Sequence, residues 1–361
     1  MILIDVKRLI PIYGDCSNVN FTALLSGVLK GNVEFINREG YEKFEVVFIE
    51  GEKMTEFINS LPCDQYHVFC ISCDASFKSP PKASKNIKLG VLPMYSTGFT
   101  FEKLSKALNI IYEIEYDSIY SKSIKIINEI QNSDEIEFIN NEYGTSATLD
   151  LCAPFQRLYY FNQTGNIDWG QQTVLPNGEF SILTDYHGEY SYNSKFVLNG
   201  ELLINGFPIL HKGSCPCTSF QKPINCHNEE CEVVTRSKIT DLAQNFVFKR
   251  LSDIYHNKYI FHLKNGIVSE ITPINEKDEF FYQIQELMNV DFQYQKIHEI
   301  GFGLLDRNYF FPENFLPNEL LKGVHFGLGL TPYTDYHIDL ACSALDISIK
   351  KNGIKQSFFH I

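Results

Sequence analysis

The stretch GVHFGLGLTPYTDYHIDLAC near the C-terminus holds residue types that bind metal ions in proteins. His325 lies among glycines, and twelve residues later the chain offers His337 and Asp339, with one residue between them. In an extended segment His337 and Asp339 point to the same face, because side chains alternate along a strand. An extended segment around His325 would also put Gly327 and Gly329 on the face of that histidine, where no side chain crowds a bound molecule.

Two histidines and one carboxylate are the ligand set of a facial iron site, and they also suit a zinc site or a two-metal hydrolase. The spacing alone leaves open the alternative that both histidines are buried strand residues and Asp339 is a surface carboxylate. His325, His337 and Asp339 are therefore candidate metal ligands.

Two kinds of sequence pattern surround this stretch and predict the elements that position it. Before residue 150, the apolar runs at residues 67–71 and 89–92 predict buried strands, and residues 101–111 show helical spacing behind a Thr100 cap. After residue 170 there are Asn-Gly pairs at residues 177, 199, 205, 265 and 352. Asn-Gly supplies the positive φ angles of tight hairpins, so the second half should be rich in antiparallel strands.

These patterns predict an α/β N-terminal domain over residues 1–150, followed by a strand-rich α+β metal-binding catalytic domain over residues 151–361. Two domains are also expected because the 361 residues exceed the length, about 250–300 residues, at which single cores stop growing. The clearest predicted hairpin turns at Asn265-Gly266 between two apolar runs.

Charge and hydropathy exclude some classes of partner. The net charge is −13, and no Lys/Arg cluster reverses it locally, so the sequence predicts no nucleic-acid partner. No run approaches 18 apolar residues, and Asp5, Lys7 and Arg8 interrupt the apolar start, which predicts neither a membrane partner nor a signal peptide. A cytoplasmic location with mostly reduced cysteines is the resulting expectation.

Four segments, in order, resemble the signature blocks of the aminopeptidase T and aminopeptidase S family of metallopeptidases, whose relatives include 2,5-dihydroxypyridine dioxygenases. They are Gly144-Thr145 in NEYGTSATLDL, Glu179 in LPNGEFSIL, Glu299 in HEIGFGLLDRN, and KGVHFGLG followed by HIDL. The resemblance spans roughly residues 144–355.

The resemblance implies functional roles for the matched residues. Glu179, Glu299, His325, His337 and Asp339 would bind one or two divalent ions, Zn, Co or Mn, and Glu299 would also act as the catalytic base. A catalytic tyrosine would be Tyr333 or Tyr336, between which the sequence does not choose. The family also implies a homodimer and a peptide or other small-molecule substrate.

Chemistry separates three interpretations of that resemblance. A two-metal hydrolase that cleaves a peptide or amide bond needs extra carboxylates, and Glu179 and Glu299 supply them, so this is the preferred one. An Fe(II) dioxygenase acting on a small aromatic or peptide-derived substrate needs only the two histidines and Asp339. The third is an inactive binding relative, since the connection between the two histidines is far shorter than is usual in the family.

A second candidate site is a cysteine-rich insertion at residues 213–232. Cys215, Cys217, Cys226 and Cys231 lie close enough in sequence for a tetrahedral structural zinc site. Their spacing does not follow the common paired Cys-x-x-Cys pattern, so reduced thiols or one disulfide stay open as alternatives.

Overall fold

The structure is a computed structural model, and the part of the chain that it describes is discontinuous. The described residues are 12–13, 44–49, 56, 59–60, 66–72, 87–93, 116–154, 156, 158–161, 173–174, 178–184, 196–206, 208–212, 258–306, 316–329, 336–342 and 345–360.

Strands dominate the described residues, together with two α-helices and two short 3₁₀ helices. The elements in chain order are β1 Ile12–Tyr13, β2 Phe44–Ile49, β3 Tyr66–Ser72, β4 Ile87–Pro93, α1 Tyr116–Gln131, β5 Glu135–Asn140, β6 Thr145–Asp150, β7 Leu158–Phe161, β8 Thr173–Val174, β9 Glu179–Thr184, β10 Leu198–Ile204, β11 Pro208–Lys212, β12 Tyr259–Lys264, β13 Ile267–Pro273, α2 Glu279–Val290, η1 Phe292–Gln295, β14 Ile297–Gly303, η2 Leu316–Leu320, β15 Gly323–Leu328, β16 Tyr336–Cys342, β17 Asp346–Lys351 and β18 Ile354–His360.

The first of two compact units contains a parallel sheet in the order β1-β2-β3-β4-β8. β3 and β4 confirm the strands predicted from the apolar runs at residues 67–71 and 89–92. A parallel sheet is the arrangement expected of an α/β layer, since its crossovers are usually helices. The helix predicted over residues 101–111 lies outside the described residues.

The second unit contains two antiparallel sheets. One has seven strands in the order β13-β12-β10-β6-β5-β17-β18, and the other has six in the order β11-β16-β15-β14-β9-β7. Phe138 of β5 meets Phe326 of β15 edge to face, with ring centroids 5.3 Å apart. Both rings are fully buried, and so are Phe180 and Phe302 of the six-stranded sheet, whose rings stack at 5.7 Å. One face of the six-stranded sheet is therefore an apolar core surface.

The second compact unit includes residues 121–161. β5 and β6, residues 135–150, belong to the seven-stranded sheet, which is completed by strands from after residue 190. The strand-rich character of the C-terminal part is thus observed. The boundary near residue 150 stays a prediction, because residues 94–115 and 162–172 lie outside the described residues.

Two of the five Asn-Gly pairs form the tight hairpin turns that they predict. Asn265 and Gly266 have φ angles of 53° and 71° and join β12 to β13. Asn352 and Gly353, at 51° and 76°, join β17 to β18 in the same way. Asn199-Gly200 instead lies inside β10. Gly200 has a φ of 116° and no Cβ atom, which allows the backbone of Ser146 and Ala147 on β6 to approach closely.

The helix α2 is tied to the seven-stranded sheet at its first turn. Asp278 caps it by accepting a hydrogen bond from the Phe281 backbone N–H at 2.9 Å, and the Tyr259 hydroxyl of β12 donates to the other oxygen of the same carboxylate. Phe280 packs on the Tyr259 ring at 4.9 Å. Among the helices in the described residues, none combines the length and the apolar character needed to cross a bilayer.

Replacing Phe326 tests the contact between the two antiparallel sheets. Phe326→Ala should lower the free energy of unfolding by about 3–5 kcal/mol, because it leaves a cavity between β15 and β5. Tyr282→Ala, at a side chain that is 58% exposed, should change it by about 0.5 kcal/mol or less. Urea denaturation measures both, and equal losses would contradict the described core.

Candidate metal centre

Four neighbouring strands of the six-stranded sheet bring five potential ligands to one face. β9 carries Glu179, β14 carries Glu299, β15 carries His325, and β16 carries His337 and Asp339. Cross-strand partners point to the same face of a sheet. The pairs Glu299 with Gly327 and Gly327 with Asp339 place the two carboxylates in one row. In the adjacent row, Gly301 lies between Ser181 and His325.

Glycines on this face provide the space into which the histidine rings fold. A Cβ atom at Gly301 would lie 2.0 Å from the His325 ring, and one at Gly327 would lie 2.3 Å from the His337 ring. Either distance is impossible for a real side chain. The His325 ring lies over Gly301 of β14, and the His337 ring lies over Gly327 of β15. The site therefore requires glycine at these two positions, because any side chain there would clash with a histidine ring.

The donor atoms converge closely. The His337 Nε2 atom lies 2.9 Å from Asp339 Oδ1 and 3.0 Å from Glu299 Oε2. The His325 Nε2 atom lies 3.3 Å from Glu179 Oε1, 3.8 Å from Glu299 Oε1 and 3.9 Å from Asp339 Oδ1. The two oxygens of Glu299 therefore face different histidines, and Asp339 Oδ1 is within 4 Å of both.

The five residues form two overlapping groups suited to a metal ion, which share Glu299. Glu179, Glu299 and His325 form one group, and Glu299, His337 and Asp339 form the other, with the ligand atoms of each group within 4.8 Å of one another. Adjacent ligands bound at about 2.1 Å to one ion lie about 3 Å apart, and opposite ones about 4.2 Å apart. The observed separations fit this range.

The contacts of His337 prepare its ring to act as a ligand. Its Nδ1–H donates to the Gly329 carbonyl at 2.5 Å, and a carbonyl can only accept, so in the neutral ring the Nε2 lone pair faces Glu299 and Asp339. Gly329 adopts a φ of 70°, a left-handed conformation that glycine tolerates without strain. A histidine ligand whose other nitrogen donates to a backbone carbonyl is typical of metal sites.

The electrostatics of the cluster favour added positive charge. Burial lowers the pKa of His325 and of His337, but Asp339 and the glutamates outweigh it, so both pKa values are raised well above the ordinary one. Burial raises the pKa of Glu299, yet hydrogen bonds from His325 and His337 overcome this and hold it at about 2. Three carboxylates around two histidines thus attract protons, and a divalent ion can supply the same positive charge.

His325 gives a further sign that these residues fit an ion. The residue is 97% buried, and its Nε2 atom lies 3.3, 3.8 and 3.9 Å from carboxylate oxygens of Glu179, Glu299 and Asp339. A buried imidazole nitrogen among carboxylate oxygens is a typical environment for a divalent ion. The glycine spaces, the buried Nε2 atom and the mixed imidazole and carboxylate donors all fit a divalent ion held by these five residues.

The structure brings together all five ligands predicted from the sequence. Asp339 is buried, contrary to the alternative in which it is a surface carboxylate. Tyr333 lies outside the described residues, and so do the four cysteines of the insertion. The backbone of Tyr336 begins β16. The catalytic tyrosine and the structural zinc therefore stay predictions.

Three contributors to the site were not predicted from the sequence: Gly301, Gly303 and Ser181. The Gly-x-Gly repeat at residues 301–303 is similar to the spaced glycines that flank His325 on the neighbouring strand. This similarity was the sequence signal that could have identified Gly301 and Gly303. Ser181, whose hydroxyl donates to Glu179 Oε1 at 2.8 Å, follows Glu179 by two residues and so shares its face. His298, although next to Glu299, has its Nδ1 atom 3.2 Å from Thr184 Oγ1 and is not part of either ligand group.

Comparisons with known proteins include a remote structural similarity. No family model matches the chain, and no curated protein matches it. The solved structure of 2,5-dihydroxypyridine dioxygenase from Pseudomonas putida KT2440 is similar over 81% of this chain and 70% of that one, with 12% sequence identity and a TM-score of 0.46. A similarity this distant says nothing about the reaction. The resemblance to aminopeptidases T and S therefore still rests on the sequence blocks.

Gly301→Ala tests whether the glycine face forms the site. Its new Cβ must displace the His325 ring. We therefore expect metal affinity to fall at least about tenfold, the lower end of the loss seen when a group that orients a metal ligand is removed. Gly200→Ala is the control, because its Cβ would meet the Ser146 carbonyl oxygen at 2.3 Å in the seven-stranded sheet, which carries none of the five ligand residues. It should lower the melting temperature and leave metal affinity unchanged. Isothermal titration with Zn²⁺ measures the metal affinity of both variants, and wild-type affinity in Gly301→Ala would contradict the role of the glycine face.

Proposed function

We propose that this protein is a metal-dependent enzyme whose reaction takes place at the five-residue cluster on the six-stranded sheet. The observation that supports it best is that Asp339 Oδ1 lies within 4 Å of the Nε2 atoms of both His325 and His337. Asp339 therefore links the two overlapping groups of ligand residues, which also share Glu299 and suit one ion or two neighbouring ions.

The first candidate function is a mononuclear Fe(II) dioxygenase acting on a small aromatic or peptide-derived substrate. Two histidines and one carboxylate form the facial ligand set of such enzymes, and an iron ion held by them keeps three positions open for substrate and dioxygen. In this candidate Glu179 and Glu299 are not needed as ligands. Glu299, whose Oε2 atom lies 3.0 Å from His337 Nε2, would then be placed beside the ion to accept a proton from a substrate hydroxyl.

The second candidate is a two-metal hydrolase of peptide or amide bonds, and a specific feature of Glu299 favours it. Its Oε1 atom faces His325 and its Oε2 atom faces His337, as a bridging carboxylate would. Glu179, Glu299, His325, His337 and Asp339 would hold the two ions, which would supply Lewis-acid activation of a carbonyl and of a water molecule. Glu299 would accept the proton of that water, and a tyrosine at position 333 or 336 would stabilise the oxyanion.

The resemblance to aminopeptidases T and S favours the hydrolase, whereas the minimal facial triad favours the dioxygenase. The homodimer and the small-molecule or peptide substrate are further proposals that rest on that resemblance. The third interpretation is an inactive binding relative. A cluster that binds no metal ion would distinguish it from both enzymes.

Metal content distinguishes the candidates. Protein stripped with a chelator should be reloaded anaerobically with Fe²⁺, and separately with Zn²⁺ or Mn²⁺, then desalted and measured by elemental analysis. We expect about one tightly bound equivalent of iron for the dioxygenase. Two equivalents of Zn²⁺ or Mn²⁺ would instead support the hydrolase, and protein that rebinds no metal would contradict both enzymes.

A further inference from the structure

Ser181 occupies a position that neither enzyme candidate assigns. It is 99% buried on β9, two residues from Glu179 and therefore on the same face. Its cross-strand partner on β14 is Gly301, beyond which lies His325. The Ser181 hydroxyl donates to Glu179 Oε1 at 2.8 Å, and that oxygen also lies 3.3 Å from His325 Nε2.

Two glycines of β14 lie next to Glu179 on the ligand face of the sheet. Its cross-strand partner there is Gly303, and the next residue on that face of β14 is Gly301. A glutamate has three rotatable side-chain bonds, and fixing them costs up to about 2 kcal/mol in conformational entropy. The hydroxyl of Ser181 is a donor placed to fix the carboxylate, and a serine at this position is small enough not to crowd the His325 ring.

We infer that Ser181 is a positioning residue, which holds the Glu179 carboxylate beside His325 so that it can act as a ligand for a divalent ion. This inference rests on the proposed metal centre and on Glu179 being one of its ligands. Ligating carboxylates are commonly oriented by hydrogen bonds of this kind, and losing such a partner typically costs 10–100-fold in metal affinity. Ser181 acts only through Glu179, so its effect must disappear when Glu179 has no carboxylate.

The experiment uses Co²⁺ as the probe, because its visible absorption bands report the donors around the ion. We expect Ser181→Ala to bind Co²⁺ about 10–100-fold more weakly than the wild type and to shift these bands. Ser348→Ala is the matched control, since it removes a serine hydroxyl 3.4 Å from a carboxylate oxygen of Glu137 in the seven-stranded sheet. It should bind Co²⁺ with wild-type affinity and spectrum.

A double-variant comparison separates positioning from general destabilisation. In a Glu179→Ala background, adding Ser181→Ala should change Co²⁺ affinity no further, because there is no carboxylate left to position. Wild-type affinity in Ser181→Ala, equal losses in the two serine variants, or losses that multiply in the double variant would each overturn the inference. A wild-type protein that binds no Co²⁺ would instead overturn the proposed metal centre itself.

Discussion

The structure of the site depends on one electrostatic constraint: three carboxylates and two imidazoles share a buried face of a β-sheet. Removing carboxylates from water is costly unless positive charge compensates them. Glu299 shows the balance, since burial alone would raise its pKa, whereas hydrogen bonds from His325 and His337 bring it to about 2. The arrangement is therefore stabilised by bound positive charge, either as protons on the histidines or as a divalent ion.

The rest of the fold supplies the rigidity that this constraint needs. Phe326, on the opposite face of the six-stranded sheet, packs against Phe138 of the seven-stranded sheet, and this buried contact resists movement of the strands that carry the ligands. The face that carries the ligands alternates them with glycines, and each histidine ring lies where a neighbouring strand has no side chain. A fixed backbone with specific gaps can hold ligand atoms within the narrow distances that a metal ion requires.

Much of the site could be predicted from sequence because its signals are local. His337 and Asp339 are two residues apart in a strand, and both lie on the ligand face as the alternation of side chains predicts. The hairpin at Asn265-Gly266 was predictable for the same reason, since two residues with positive φ define its turn. The adjacency of the four strands β9, β14, β15 and β16 could not be predicted from local patterns, because strand order depends on long-range pairing. Asn199-Gly200 shows where prediction from local patterns fails. This dipeptide forms no hairpin turn, and its glycine lies within β10 where β6 approaches closely.

The buried position of Asp339 makes it the most direct test of the metal centre. Asp339→Asn keeps the shape of the side chain but removes the charge beside both histidines. If the cluster holds a metal, chelation should lower the melting temperature of the metal-loaded wild type, because an ion that binds only the native state stabilises it, by about 2.7 kcal/mol at a hundredfold excess over the dissociation constant. The melting temperature of Asp339→Asn should not respond to the chelator. Identical responses in the two proteins would contradict the assignment of this carboxylate, and with it the proposed metal centre.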